Sequence, residues 1–437
     1  MNSKVNPSKV TIAIILLIMT VVSSNLNWGK DHWKDIIESD AKGNYAYLPA
    51  IFIYHDLNFG FFDRIEKVDY YDKNLYYDYR SFANGKVINK YYCGTALAEL
   101  PFFLGAHALS YTLDYKPDGY SKLYHIFINI AALFYLLIGL IYLNATLKSY
   151  EIGEWEKSLV LFAAVFGTNL FYYVVGEPGM SHVYSFAFIS MFFHYSRKYF
   201  SAFQPIYIPI LGFLLGMIVL IRPVNGLIIL ILPFASGSFQ SLILGLRLAF
   251  RNYQWLLSGL VIAVGIMSVQ LIIYKLSTGS FFVYAYGAEG FNFRDPHMLE
   301  ILFSYKKGLF LYTPLYLLCF TGGYYFWKSS RFSFFSWFGF FLLITYVFSS
   351  WWMWYYGGSF SSRVYVEYIP LFMMLLAIAL REMRSKPVKK VFVAAIILLT
   401  ILCQIQTYQY RYYQIHWADM TQEKYWDVFL RVDKLMK

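Results

Sequence analysis

The residues of this chain best suited to chemistry are two carboxylates beside turns. The first is Asp40, in Glu38-Ser39-Asp40-Ala41-Lys42-Gly43-Asn44-Tyr45-Ala46-Tyr47-Leu48-Pro49, just beyond the first apolar run. An aspartate held there beside aromatic rings, with its basicity kept up by burial, can take a proton from a hydroxyl or amine within hydrogen-bond reach. Asp31, Asp35 and Glu38 accompany it at helical spacing and read as the solvated face of an interfacial helix. The second is Glu177, in Gly176-Glu177-Pro178-Gly179-Met180-Ser181-His182, where Pro178 and Gly179 force a tight turn. A turn between spans needs polar residues in any case; the functional alternative is a second carboxylate converging on Asp40, with His182 as hydrogen-bond partner. Asp40, Glu177 and His182 also have the donor types for a divalent metal, the one cofactor left open, but their spacing defines no ligand geometry.

Two arginines join this set. Arg222, followed by Pro223-Val224-Asn225, sits at a span end, and Arg363 closes the stretch Trp351-Trp352-Met353-Trp354-Tyr355-Tyr356-Gly357-Gly358-Ser359-Phe360-Ser361-Ser362. Snorkelling to headgroups explains an arginine at a helix end. A planar guanidinium also matches phosphate bidentately, which makes both arginines candidate clamps for a lipid phosphate, with Lys306 and Lys307 as weaker ones. The glycine pair lets backbone approach a ligand, and the tryptophans offer stacking faces for a sugar.

The elements that must position these groups are membrane helices. With 58% hydrophobic and 14% charged residues over 437 positions, a soluble globule would expose far too much apolar surface. The composition predicts an all-α polytopic membrane protein. Apolar runs near 10–27, 122–147, 157–175, 181–197, 205–221, 223–237, 253–276, 308–327, 332–350, 363–381 and 390–409 give about eleven spans. The first, preceded by Lys4 and Lys9, reads as a retained first helix, the alternative being a cleaved signal. The net charge of +11 does not point to nucleic acid, because the basic residues cluster in short loops between apolar runs. The 22% aromatic content fits ordinary interfacial belts, and Cys93, Cys319 and Cys403 are too scattered for a disulfide framework.

The segment 95–113 decides the orientation, since counting it as a span reverses everything downstream. Taken as interfacial, it leaves Lys148, Lys157, Arg197, Lys198, Arg247, Arg251, Lys328, Arg331 and the cluster Arg381 to Lys390 on one side, as the positive-inside rule requires. Glu99, Pro101 and His107 fit a helix in the headgroup layer. The expected organisation is one transmembrane catalytic domain over 1–437, with its N-terminus cytoplasmic. External to it are a large loop at 28–121 with interfacial helices, a second loop at 277–307 and a short tail at 410–437.

In this order and on this common side, the motifs resemble the GT-C membrane glycosyltransferases, particularly the protein O-mannosyltransferase and aminoarabinose-transferase branch. The likeness rests on Asp40 with Gly43, Tyr45, Tyr47 and Pro49; on 177–182; on Arg222-Pro223-Val224-Asn225; and on 354–363 continuing Val364-Tyr365-Val366-Glu367-Tyr368-Ile369-Pro370. It implies a GT-C-like bundle in the cell's inner (cytoplasmic) membrane, serving the cell envelope. The implied reaction moves a sugar from a polyprenyl-phosphate carrier to a glycan, lipid or protein acceptor on the external face. It makes Asp40 and Glu177 catalytic, although many relatives carry aspartate at the second position. Arg222 and Arg363 would hold the donor phosphate, and Tyr45, His182, Asn225, Trp354 and Glu367 the sugar or acceptor. A prenyl phosphate is a good leaving group once cations stabilise it, so one base gives inversion; retention would need a carboxylate nucleophile. A carrier-linked glycan polymerase or ligase is the alternative enzyme. A lipid-glycan transporter is the non-enzymatic one, although its spans should carry more charge than these do.

Overall fold

The computed structural model describes residues 6–70, 77–431 and 433. Lys4, residues 71–76 of the first loop, and residues 432 and 434–437 of the tail lie outside the described residues. The chain begins with helix α1 (Pro7–Asn27), where Pro7 occupies the first turn and the Asn6 side chain accepts from the Ser8 amide. Then come α2 (Asp40–Phe52), a hairpin of β1 (Arg80–Ala83) and β2 (Lys86–Asn89), α3 (Gly94–Thr112) and α4 (Lys122–Ser149). Helices α5 (Glu154–Phe166), α6 (Leu170–Val175), α7 (Ser181–Ala202) and α8 (Tyr207–Ile221) follow. The apolar run after Arg222 is a 3₁₀ stretch, Pro223–Ile231, passing into α9 (Leu232–Ser236) and α10 (Phe239–Arg251). The chain continues through α11 (Tyr253–Thr278), α12 (Leu315–Ser329), α13 (Arg331–Ser349), a 3₁₀ turn at Arg363–Tyr368, α14 (Ile369–Glu382), α15 (Lys386–Arg411) and α16 (Gln422–Val428). Short turns at 62–69, 298–303 and 309–312 lie between them.

Six helical stretches among the described residues are long and apolar enough to cross a bilayer: Pro7–Asn27, Lys122–Ser149, Tyr253–Thr278, Arg331–Ser349, Arg363–Glu382 and Lys386–Arg411. The protein is therefore a multi-pass helical membrane protein, as its composition predicts. Its helices pack through small residues. A Cβ on Gly212 would lie 2.2 Å from the Gly259 carbonyl oxygen, and one on Gly216 would lie 3.1 Å from the Ala263 backbone. These two i, i+4 pairs let α8 and α11 meet backbone to backbone, the close contact that replaces hydrophobic drive in lipid. Gly322 of α12 approaches the Leu375 backbone of α14 in the same way.

Contacts between distant residues define two ends of the bundle. At one, the Ser8 amide meets Glu154, Lys389 pairs with Glu156 at 2.6 Å, Arg381 donates to the Tyr150 carbonyl and Arg197 to the Ala235 carbonyl. At the other, Asn27 donates to the Val175 carbonyl, Trp28 to Asn129, and the rings of Tyr172, Phe360 and Tyr410 pack together. The first end carries the basic loops and the second the candidate site. Helix α3 runs beside α4 in the opposite direction: Tyr135 bonds the Ala98 carbonyl, and His107 Nδ1 lies 2.6 Å from the Tyr124 hydroxyl. These contacts keep α3 in the site-end half of α4. Glu99, on this helix, is fully buried and so faces the protein interior.

Gly212→Val should separate α8 from α11 and lower stability by about 1–3 kcal/mol, read as a fall in thermal midpoint in detergent. The three native cysteines are buried, so single cysteines at the exposed Lys86 and Ser385 should react with an impermeant thiol reagent from opposite sides of sealed vesicles. Labelling of both from one side would contradict the two-ended arrangement.

Candidate active site

Asp40 is the first residue of α2 and follows Ser39, whose φ of 53° makes the sharp entry that turns the carboxylate towards the bundle. Helix α2 is anchored by a buried ion pair between Lys42 and Glu66 (2.9 Å). Gly43 is required by a close approach: a Cβ there would sit 2.3 Å from the Tyr91 ring. Because that ring lies on α2, its hydroxyl reaches Asp40 Oδ1 at 2.8 Å. Tyr91 is fixed in turn by Asn89, which accepts from its amide and donates to the Gly43 carbonyl, and by Tyr47, which donates to its carbonyl. The Tyr77 hydroxyl bonds the Tyr91 hydroxyl.

The other oxygen of Asp40 meets Arg363. Oδ2 is 2.8 Å from Nη2, and both side chains are largely buried. Arg363 opens the 3₁₀ turn Arg363–Tyr368, which packs along the start of α7, so that Arg363 touches Met180 while Glu367 touches His182. Glu367 Oε1 accepts from Arg222 Nη1 at 2.5 Å and from His182 Nδ1 at 3.1 Å, and Glu367 is fully buried. The turn at 177–180 sits against α2, where a Cβ on Gly179 would lie 2.8 Å from Ala41 Cβ. Glu177 therefore stands near Asp40 and Arg363. Its Oε1 accepts from the Tyr172 hydroxyl at 3.2 Å, and its Oε2 is buried without a partner. Lys307, buried between these elements, donates to the Ser359 carbonyl and lies 5.2 Å from the Tyr410 ring centre.

Proton affinities differ sharply across this cluster. Burial pushes the Asp40 carboxyl up, but Arg363, then Lys90 and His182, pull it down further, leaving it below the ordinary aspartate value. The expectation that burial would keep Asp40 basic is therefore reversed in this unliganded arrangement, because a guanidinium touches it. Burial raises Glu177 to about 7, against the pull of Arg363 and helped by the charge of Asp40. Burial lowers Lys307 to about 7, with Glu177 opposing and Arg363 assisting. Two carboxyls with separated affinities and a near-neutral amine can hold and pass protons around one reacting centre.

Of the residues expected at the site, Asp40, Glu177, Arg363, Arg222, His182 and Glu367 are brought together. Tyr45 is not: it is fully buried, with its hydroxyl on the Gly119 carbonyl. Asn225 is buried between the Ser185 and Tyr368 hydroxyls and ties the 3₁₀ stretch to its neighbours. Trp354 stacks on His297 at 5.8 Å, in the loop above the cluster. Tyr91 and Tyr77 are the residues that sequence reasoning missed. A tyrosine in a tyrosine-rich loop carries no spacing signal, and only the hairpin turn Asn84-Gly85, with φ of 53° and 72°, hinted that this loop folds back. The residues available to a divalent cation do not fit one as placed. Among the described residues no three His, Cys, Asp or Glu side chains are placed so that they could hold one metal ion; Arg363 pairs with Asp40, and Glu367 meets His182.

Glu177 gives a pH signature with a definite sign. Its folded value near 7 exceeds the ordinary 4.5, so its contribution to stability is fully present below about 4.5 and is lost as pH rises to about 7. Glu177→Gln should therefore match the wild type near pH 4.5 and exceed it by about 2 °C or more in thermal midpoint at pH 8. An unchanging difference across that range would remove the burial effect.

No family model matches the chain, and no curated protein matches it. Among solved structures it is similar to an oligosaccharyltransferase from Archaeoglobus fulgidus in complex with zinc and sulfate, at 12% identity and a TM-score of 0.44. It is also similar to the oligosaccharyltransferase AglB from the same organism with an inhibitory peptide and a dolichol-phosphate, at 11% and 0.46. The match covers 96% of this chain in each case, and 54% and 57% of the other. The chain thus spans little more than half the length of these proteins. A likeness so remote assigns no activity.

Proposed function

We propose that this protein is a GT-C type membrane glycosyltransferase that moves a sugar from a polyprenyl-phosphate carrier to an acceptor at the bundle end holding Asp40. The observation that carries the reading is the meeting of Asp40, Glu177 and Glu367 with Arg222 and Arg363 at one end of an apolar bundle, from segments far apart in the chain. Beside Arg222 lies an apolar groove of about 490 Å³ lined by Pro223, Val224, Leu227, Phe291, Phe293 and Val347. It suits part of a prenyl chain, with the phosphate left at the arginines. The basic loops at the opposite end favour a cytoplasmic N-terminus, with the site on the external face of the inner membrane.

In the proposed step the acceptor oxygen attacks the anomeric carbon while the bond from that carbon to the phosphate oxygen breaks. The bonding pair leaves with the prenyl phosphate, and the acceptor proton passes to Asp40. The sugar carbon inverts. Asp40 is ionised at neutral pH and is oriented on both oxygens, by Tyr91 and Arg363. Arg222 and Arg363 supply positive potential where charge develops on the phosphate. Glu177 and His182 complete the polar wall. No step is routed through a metal.

Asp40→Asn should lower transfer from a polyprenyl-phosphate sugar by about 10²–10⁴-fold, while the protein still inserts and elutes as a folded species. Wild-type turnover in that variant would remove Asp40 from the reaction.

A further inference from the structure

Both arginines of the site are already engaged by carboxylates, Arg363 by Asp40 and Arg222 by Glu367. Each positive charge is therefore partly offset, and what the two arginines add at the phosphate is shared with a carboxylate. Lys307 differs. It is 2% exposed and its ammonium donates to a backbone carbonyl, with no carboxylate in ion-pair contact among the described residues. A buried ammonium has three donor directions, and one neutral carbonyl satisfies a single one.

The segment just after that carbonyl holds further unfilled donors. Ser359 accepts from Lys307; Ser362 Oγ and Arg363 Nε, three and four residues on, are buried with no hydrogen-bond partner. Glu177 Oε2 is likewise buried and unpartnered, and Glu177, Arg363 and Lys307 each feel the others' charge. Unpartnered buried donors are rare in folded proteins because each has given up its hydrogen bonds to water. Two of them in successive residues, with an ammonium held at Ser359 just before them, describe the outline of an anion.

We propose that Lys307, Ser362 Oγ–H and Arg363 Nε–H form the pocket that grips the phosphate of the lipid-linked donor, with Lys307 the principal cation. This rests on the reading of the protein as a prenyl-phosphate-dependent transferase. The geometry also couples the two substrates. Arg363 presents Nη2 to Asp40 and Nε to the pocket, so it stands between base and leaving group. An anion on the Nε side draws the guanidinium's charge away from Asp40 and raises the basicity that the ion pair suppresses. An anion there also holds Lys307 protonated, against the burial that lowers it.

The test uses the purified full chain in detergent, with farnesyl phosphate as probe and farnesol as its phosphate-free control, both read by thermal shift titration. The wild type should prefer farnesyl phosphate. Lys307→Gln should weaken farnesyl phosphate binding about tenfold or more and leave farnesol binding unchanged. A wild type that does not distinguish the two ligands overturns the prenyl-phosphate reading itself. A wild type that does, alongside Lys307→Gln with undiminished preference, overturns this pocket alone. If Lys307→Gln does not purify folded, Ser362→Ala removes one donor and no charge: at least threefold weaker phosphate binding supports the pocket, and unchanged binding overturns it.

Discussion

The ion pair between Asp40 and Arg363 is the interaction on which the candidate site depends. It joins the first helix of the large loop to the turn that precedes α14, and everything else at this end is arranged around it. The pair is largely but not fully withdrawn from water and, with the Tyr91 hydroxyl on the other oxygen of Asp40, ties the two segments together. The pair also sets the chemistry, since it holds Asp40 ionised and in one orientation while lowering its basicity.

The surrounding structure exists to make that pair possible. Helix α2 must start at Asp40, so Ser39 adopts a left-handed φ, Lys42 is pinned by Glu66, and Gly43 leaves room for Tyr91. On the other side, the turn at 177–180 packs on α2 through Gly179, which brings Glu177 in from between two helices. A second pair, Arg222 with Glu367, fastens the broken helix after α8 to the 3₁₀ turn bearing Arg363. Both 3₁₀ stretches thus carry a charged partner of this cluster, Arg222 directly before one and Arg363 and Glu367 within the other.

How much could be read beforehand differs from residue to residue. Asp40, Glu177, Arg222, Arg363, His182 and Glu367 were legible because a charged or polar side chain at the end of an apolar run stands out against its background. Tyr45 and Asn225 stood out in the same way, but in the structure their polar groups meet protein partners, and a hydroxyl or amide looks alike in the sequence whether it meets a ligand or its own chain. Tyr91 and Lys307 were hidden or undervalued for the converse reason. Their importance comes from what lies beside them, and neither neighbour is close in sequence. Glu99 shows the limit of pattern in an apolar helix, where one carboxyl does not reveal whether it faces headgroups or the protein.

Hydropathy is a property of each residue along a line, and it is enough to determine that this chain crosses membranes as helices and which loops carry the positive charge. It also determines that a few carboxylates and guanidiniums are left outside the apolar runs. Pairing is a property of space. Which arginine serves which carboxylate, and which of two carboxyls is held low and which is pushed up, were decided only when the helices packed. Those outcomes depend on distances of a few ångströms and on burial, and neither is encoded in the order of residues within a single helix.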